Sequence, residues 1–528
     1  MTPPARNSAR TLYRGGRVYS PAGPGTTAVL VEGDRIGWVG VDADAPRADT
    51  VVDLAGALLA PAFVDAHVHA TDTGVTLLGL DLAGTRSAAE VTARVAAHAA
   101  TLPGDAVVVG HGWDESGWPE QAPPDAVTLD RAGGGRRVYL AQASVHSAVV
   151  SSALLAVAPR DVPGYHAGGW LRLAAHHAVR AVALGSISPA QRRAAQRATL
   201  ERAASLGIAA VHECGGPGTS SEDDFTGLLA LSRAGGVPAV YGYWGELGGA
   251  AKARDLGAVG AGGDLYADGA IGAHTACLRE PYHDRNPGHA DARGHRYLTA
   301  AQVSGHLVDC ARHTMQGGFH AIGDAAIATV LDGLALADTA LGGGRVRAGR
   351  HRVEHVEILD EALIAGLADF GVVASMQPAF DRLWGGTHGM YAQRLGVARS
   401  LASNPVGALA AAGVALAFGS DSPVTPLDPW GTVLAATRHH NPAQRIDLPA
   451  AFAAHTVGGW RAAGVDDEGL LLPGSPATFA VWHWPGTFRG GLPAPPEPAA
   501  AGPTGPDPYG APICRRTVRR GEVIYASG

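Results

Sequence analysis

From about residue 188 the chain repeats one phrase: a helical pattern, a glycine, a short apolar run, then a polar residue. In SPAQRRAAQRATLERAASLG, Ser188 caps the helix, Pro189 fills its first turn and Gly207 ends it before IAAVHE. TAAQVSGHLVDCARHTMQGG precedes FHAIGD in the same way, LDEALIAGLADFG precedes VVASMQP, and NPVGALAAAG precedes VALAFGSD. Strands that alternate with helices pair in parallel through crossovers, in a doubly wound open sheet or a closed (β/α)8 barrel. The barrel, an α/β TIM barrel, is the expected fold, because polar residues end many different strands, where a barrel gathers its reactive groups. No GxGxxG follows an early strand, as a dinucleotide-binding sheet would require.

The two ends read differently. TLYRGGRVYS, TAVLVEGDRIGWVG and VVDLAG near the start, and ATFAVWHW and RRTVRRGEVIY near the finish, are short β-like runs separated by turn residues. They predict one small β-sandwich domain built from residues 1–60 and 470–528, with the barrel spanning 61–469. Residues 485–513, rich in Pro, Gly and Ala, read as a loop of that domain. Residues 71–187 interrupt the barrel phrase after its first strand and are expected to form an inserted lid over the barrel mouth.

A formal charge of −7 offers no basic excess to hold a polyanion, so nucleic acid is not an expected partner. The four cysteines, Cys214, Cys277, Cys310 and Cys514, form no CxxC pair and suggest neither a disulfide framework nor a thiolate zinc knuckle. The first residues lack the apolar core of a signal peptide, and no apolar run reaches membrane-spanning length. The expectation is a cytoplasmic protein with a small-molecule substrate and no membrane partner; a homodimer is left open.

PAFVDAHVHA ends an apolar strand with His67 and His69. Spaced by two, they share a strand face at roughly 6–7 Å between Cα atoms, close enough to converge on one ion. His320 in GFHAIGD, His355 in RVEHVE and Asp421 in FGSDSP each follow a short apolar run at the same point of the phrase. A barrel brings all five to its mouth, and four imidazoles with a carboxylate suit zinc or a similar divalent ion.

These stretches, with GHGWDESGWPE, GDLYADGAIGAHTACLREPYHD, VVASMQP, RLGVARS and AFGSDSPVTPLDP, resemble the amidohydrolase superfamily, and within it the amidohydrolase-3 branch of YtcJ-like proteins and N-substituted formamide deformylases. The resemblance runs from about residue 12 to 480. It implies a metal-bearing barrel with a β-sandwich from the termini, His67 and His69 on the first strand, His320 and His355 on the fifth and sixth, and Asp421 on the eighth. Members often carry, four residues before the aspartate of ADG, a lysine whose carboxylated side chain bridges two metals. That position is Asp264 here, and the only lysine of the chain, Lys252, lies twelve residues earlier.

The side chain of Asp264 ends on the order of 4 Å short of a carboxylated lysine, so a direct substitution is not expected to reach the same ions. Asp264 therefore reads as a buried supporting or vestigial acid. Glu213, placed at the end of the third barrel strand, is the alternative bridging carboxylate, although adjacent residues face opposite sides and only one of His212 and Glu213 can easily point inward. One ion is favoured over two. Asp268 reads either as a substrate contact or as a turn acid binding backbone amides.

In the insertion, Trp113, Asp114 and Trp118 occupy a Gly-rich loop and His146 follows a strand. Trp113, Asp114 and His146 are candidate substrate contacts, the aromatic rings otherwise packing the lid. Together these readings predict a hydrolase of a non-peptide C–N bond, an amide or N-substituted formamide. Asp421 would move the proton, and His355 or His146 would steady the oxyanion. A deaminase or cyclic-amide hydrolase on the same fold is one alternative; a binding barrel without turnover, or a lyase, is another.

Overall fold

The computed structural model describes residues 9–142, 147–342, 344–494 and 510–527. Eight parallel strands follow one another in order: β1 (Phe63–Val68), β2 (Ile208–Gly215), β3 (Ala239–Trp244), β4 (Gly260–Ala261), β5 (Gln316–Ala321), β6 (Arg352–His355), β7 (Val373–Met376) and β8 (Ala415–Phe418). The ends meet just beyond β1 and β8. The Asp421 amide donates to the His67 carbonyl at 2.8 Å, and the His69 amide to the Ser422 carbonyl at 2.9 Å. The sheet is thus a nearly closed barrel, as the alternating phrase predicts, with Glu213 on the second strand rather than the third.

Helix starts follow the capping chemistry of the sequence. Thr299 and Gln302 form a reciprocal capping box ahead of Ala300–Arg312, and Asp360 accepts the Leu363 amide at the start of Glu361–Asp369. Outside the barrel, Arg10–Arg14 pairs with Ala28–Glu32 and with Thr50–Asp53. A second sheet runs Arg17–Val18, Leu58–Pro61, Phe479–His483, Ile513–Arg519, Glu522–Ala526, so strands from both ends of the chain share it. Val29, Leu59, Phe479 and Val518 pack in one apolar cluster there.

Residues 70–199 form a separate compact unit, longer at both ends than the expected insertion. Its five-stranded sheet runs Trp170–Arg172, Ser147–Val150, Val138–Gln142, Val108–Trp113, Leu80–Asp81. Among the described residues no helix is long and apolar enough to cross a membrane.

Candidate metal centre

The residues that end β1, β4, β5, β6 and β8 put their side chains together. His67 Nε2 lies 3.5 Å from both Asp264 Oδ1 and Asp421 Oδ1, and His69 Nε2 lies 3.2 Å from Asp264 Oδ2 and from Asp421 Oδ1. On the other side of Asp264, Oδ1 is 3.5 Å from His320 Nδ1 and 3.9 Å from His355 Nε2. Metal bonds of about 2.0–2.2 Å in a tetrahedral site place neighbouring ligand atoms about 3.3–3.6 Å apart. The separations around His67, His69, Asp264 and Asp421, 3.2 and 3.5 Å, lie close to those edges.

Three of these atoms, His67 Nε2, Asp264 Oδ1 and His320 Nδ1, are buried without a hydrogen-bond partner among the described residues. Native interiors rarely leave polar atoms so. A cation among them supplies the missing partner, so the donor set fits a divalent ion. Electrostatics agree. Burial opposes charge on Asp264, but the potential of His67 and the contacts with His320 and His355 overcome it and hold the carboxyl well below its usual range. Burial likewise opposes charge on His69, yet Asp264 and Asp421 raise its proton affinity well above that of a free imidazole. The cluster favours positive charge at its centre.

The imidazoles are aimed from behind. His67 Nδ1 donates to Glu354 Oε2 at 2.9 Å, His355 Nδ1 to Gln377 Oε1 at 2.8 Å, and His320 Nε2 faces the Gly269 carbonyl at 3.4 Å. Each contact leaves the other ring nitrogen free to face the centre. Glu354 is itself fixed by the fully buried Arg352, which also donates to the Ala66 carbonyl, to Ser375 and to His212 Nδ1 at 2.6, 2.9 and 3.0 Å. Tyr266 donates to Asp264 Oδ2 at 3.2 Å, and burial together with Asp264 raises its phenol pKa, so it stays protonated as a donor. Arg352 and Glu354 escaped the sequence reading, although their spacing of two in RVEH marks one strand face. His355, Val356 and Asp421 have positive φ of 73°, 51° and 54°. For β-branched Val356 that is a strained conformation, of the sort found where backbone must present functional groups.

Asp264, read from sequence as a supporting or vestigial acid, instead stands among all four histidines. The expectation that it falls short assumed a backbone in register with a regular strand. The backbone is not regular. Ala261 pairs with Gly317 while Tyr266 bridges to His320, so five steps along this chain segment face three on β5. The two extra residues form a bulge, which re-aims the side chain at its crest.

Other candidates fall elsewhere. His212 contacts Arg352, and Cys214 joins His67 and Glu354 in one donor group. Both therefore face the interior, and alternation turns Glu213 between them to the other face. Glu213 is buried and absent from the convergent donor groups among the described residues. Asp268 accepts backbone amides from Cys277 and Gly323 at 2.8 Å and from Ile322 at 3.0 Å, so it tethers the loops around His320. That is the amide-binding alternative of the sequence reading.

Within the unit 70–199, Trp113 and Trp118 are core residues, their indole N–H groups donating to the Leu140 and Thr85 carbonyls at 2.8 and 2.7 Å. Asp114 is exposed and caps a short helical turn through the Ser116 amide. These roles are structural. His146 lies outside the described residues.

Residues 50–525 match the profile of the amidohydrolase family. YtcJ of Bacillus subtilis is 27% identical over 89% of this chain and 94% of its own length. An imidazolonepropionase of Cereibacter sphaeroides is 34% identical over 27% of this chain and 33% of its own length. The crystal structure of a metal-dependent hydrolase from Pyrococcus furiosus superimposes with a TM-score of 0.75 at 23% identity, over 90% of this chain and 98% of that one, a likeness of fold. With the profile covering the barrel and its buried His/Asp cluster, this chain belongs to the amidohydrolase family.

Proposed function

We propose that the protein hydrolyses a non-peptide C–N bond, that of an amide or N-substituted formamide, at a zinc-type centre held by His67, His69, Asp264, Asp421, His320 and His355. The observation that carries this reading is the set of buried, unpartnered donor atoms converging at the strand ends. A bound divalent ion supplies Lewis acidity, polarising a carbonyl and lowering the pKa of water to about 7.

The chain's own groups do the rest. Asp421, with Oδ1 beside His67 and His69, is placed to take a proton from the attacking water and return it to the leaving nitrogen. Its carboxyl is kept ionised because His67 and His69 overcome the cost of burial. Gln377 fixes the His355 tautomer, and Glu354 fixes that of His67. The Tyr266 hydroxyl stays protonated and steadies Asp264 by donating to its Oδ2.

A screen of N-substituted formamides and acyl amides, run on zinc-loaded and chelated protein, tests this. The expected result is metal-dependent release of formate or acid with an amine. Local identity to imidazolonepropionases favours one second reading, a cyclic amide as substrate. Ring opening without release of a separate amine would select it, and absence of turnover on both classes would refute hydrolysis of C–N bonds.

A further inference from the structure

We infer that His306, which lies outside the metal cluster, is a positioning residue for it: one imidazole clamps the two backbone segments that aim Asp264 at the centre. His306 sits on the buried face of the helix Ala300–Arg312. Its Nδ1 faces the Gly248 amide at 3.0 Å, and its Nε2 faces the Ala261 carbonyl at 3.1 Å. A backbone N–H can only donate, so Nδ1 accepts from Gly248 and the ring proton resides on Nε2, which donates to Ala261. Burial lowers the proton affinity of the ring and so favours this neutral form. The ring also meets Phe319 of β5 edge-on, with centroids 5.5 Å apart.

Both partners of that ring lead to Asp264. Ala261 is the last residue of β4, and beyond it Gly262 and Gly263 carry the bulge at φ of 149° and 78°. Glycines leave the backbone wide freedom, so the bulge is defined only if its base is held. The ladder is short here, since β4 pairs with β3 at Gly260 alone and with β5 at Gly260 and Ala261. Gly248 belongs to the loop after β3, and the start of that loop lies against Asp264 itself: a Cβ on Gly245 would sit 2.8 Å from the Asp264 carbonyl carbon. His306 thus holds the base of the bulge and the wall behind its crest. Three residues further along the same helix, Asp309 accepts the Ala250 amide at 3.1 Å, a second tie to the segment that follows the loop. Lys252, in that segment, takes no part: it is an exposed side chain paired at 3.0 Å with Glu222 and with Glu246.

This inference rests on the metal centre of the proposed hydrolase and not on its substrate. Full-length protein is stripped by chelation, and its affinity for Co2+ and the visible spectrum of the bound ion are measured. His306→Asn, which can still accept from Gly248 but is too short to reach Ala261, should weaken Co2+ binding about tenfold and alter the spectrum. His306→Gln, whose amide can accept from one partner and donate to the other, should restore both. In an Asp264→Asn background His306→Asn should cost nothing further, a coupling that a general loss of stability would not produce. In the natural protein Co2+ should slow hydrogen exchange at the Gly248 amide, because a contact that favours metal is favoured by metal in return, and this reading needs no variant. Natural affinity in His306→Asn, an undiminished loss in the Asp264→Asn background, or unchanged exchange at Gly248 would each overturn the clamp and leave the metal centre standing. Failure of the natural protein to bind Co2+ would instead remove the centre, and the clamp with it.

Discussion

Two segments of the barrel, 208–215 and 260–268, each bring a buried acid to a strand end, and they behave in opposite ways. Glu213 has the longer side chain and sits, in unbroken register with β3, between two inward residues, His212 and Cys214, so its reach is directed away from the centre. Asp264 has the shorter side chain and sits on a bulge, and it touches every histidine of the cluster. Backbone direction decides which acid serves the centre; the number of methylenes does not.

The largest effect that sharpens this contrast belongs to the other carboxylate of the cluster. Asp421→Asn keeps the side-chain shape but cannot accept a proton, and turnover should fall by about 10²–10⁴-fold. Steady-state rates on the best substrate of the screen check this, and a near-normal rate would make Asp421 a purely structural group.

The smallest effects are expected at Glu213 and on the surface. Glu213→Gln should leave metal content per chain unchanged by elemental analysis, and Lys252→Arg should change neither metal content nor rate. A drop in bound metal for Glu213→Gln would mean that the longer acid serves the centre after all, and would erase the contrast.

Much of this site is legible in the sequence, because a polar residue that ends an apolar run in a repeated β/α phrase has one place to go. His67, His69, His320, His355 and Asp421 are all found this way. Asp264 is not, because its orientation depends on a register shift against β5, set by contacts between Gly262 and Gly318, which are far apart in the chain. The doubled glycine before it is the local sign of a bulge. Trp113 and Trp118 mislead for another reason: an aromatic residue in a Gly-rich loop suits a pocket and a core equally well, and only their indole hydrogen bonds and packing place them in a core. Arg352 and Glu354 are hidden by the rule that strands buried in a barrel are apolar, which a mutually satisfied ion pair evades.

The most direct test of the bulged acid is anomalous diffraction at a metal absorption edge, from crystals of protein kept free of carbon dioxide. A metal peak should appear beside His67, His69 and Asp421, with an oxygen of Asp264 bound to it. A single peak with no contact to Asp264, or density for a carboxylated lysine, would contradict the account.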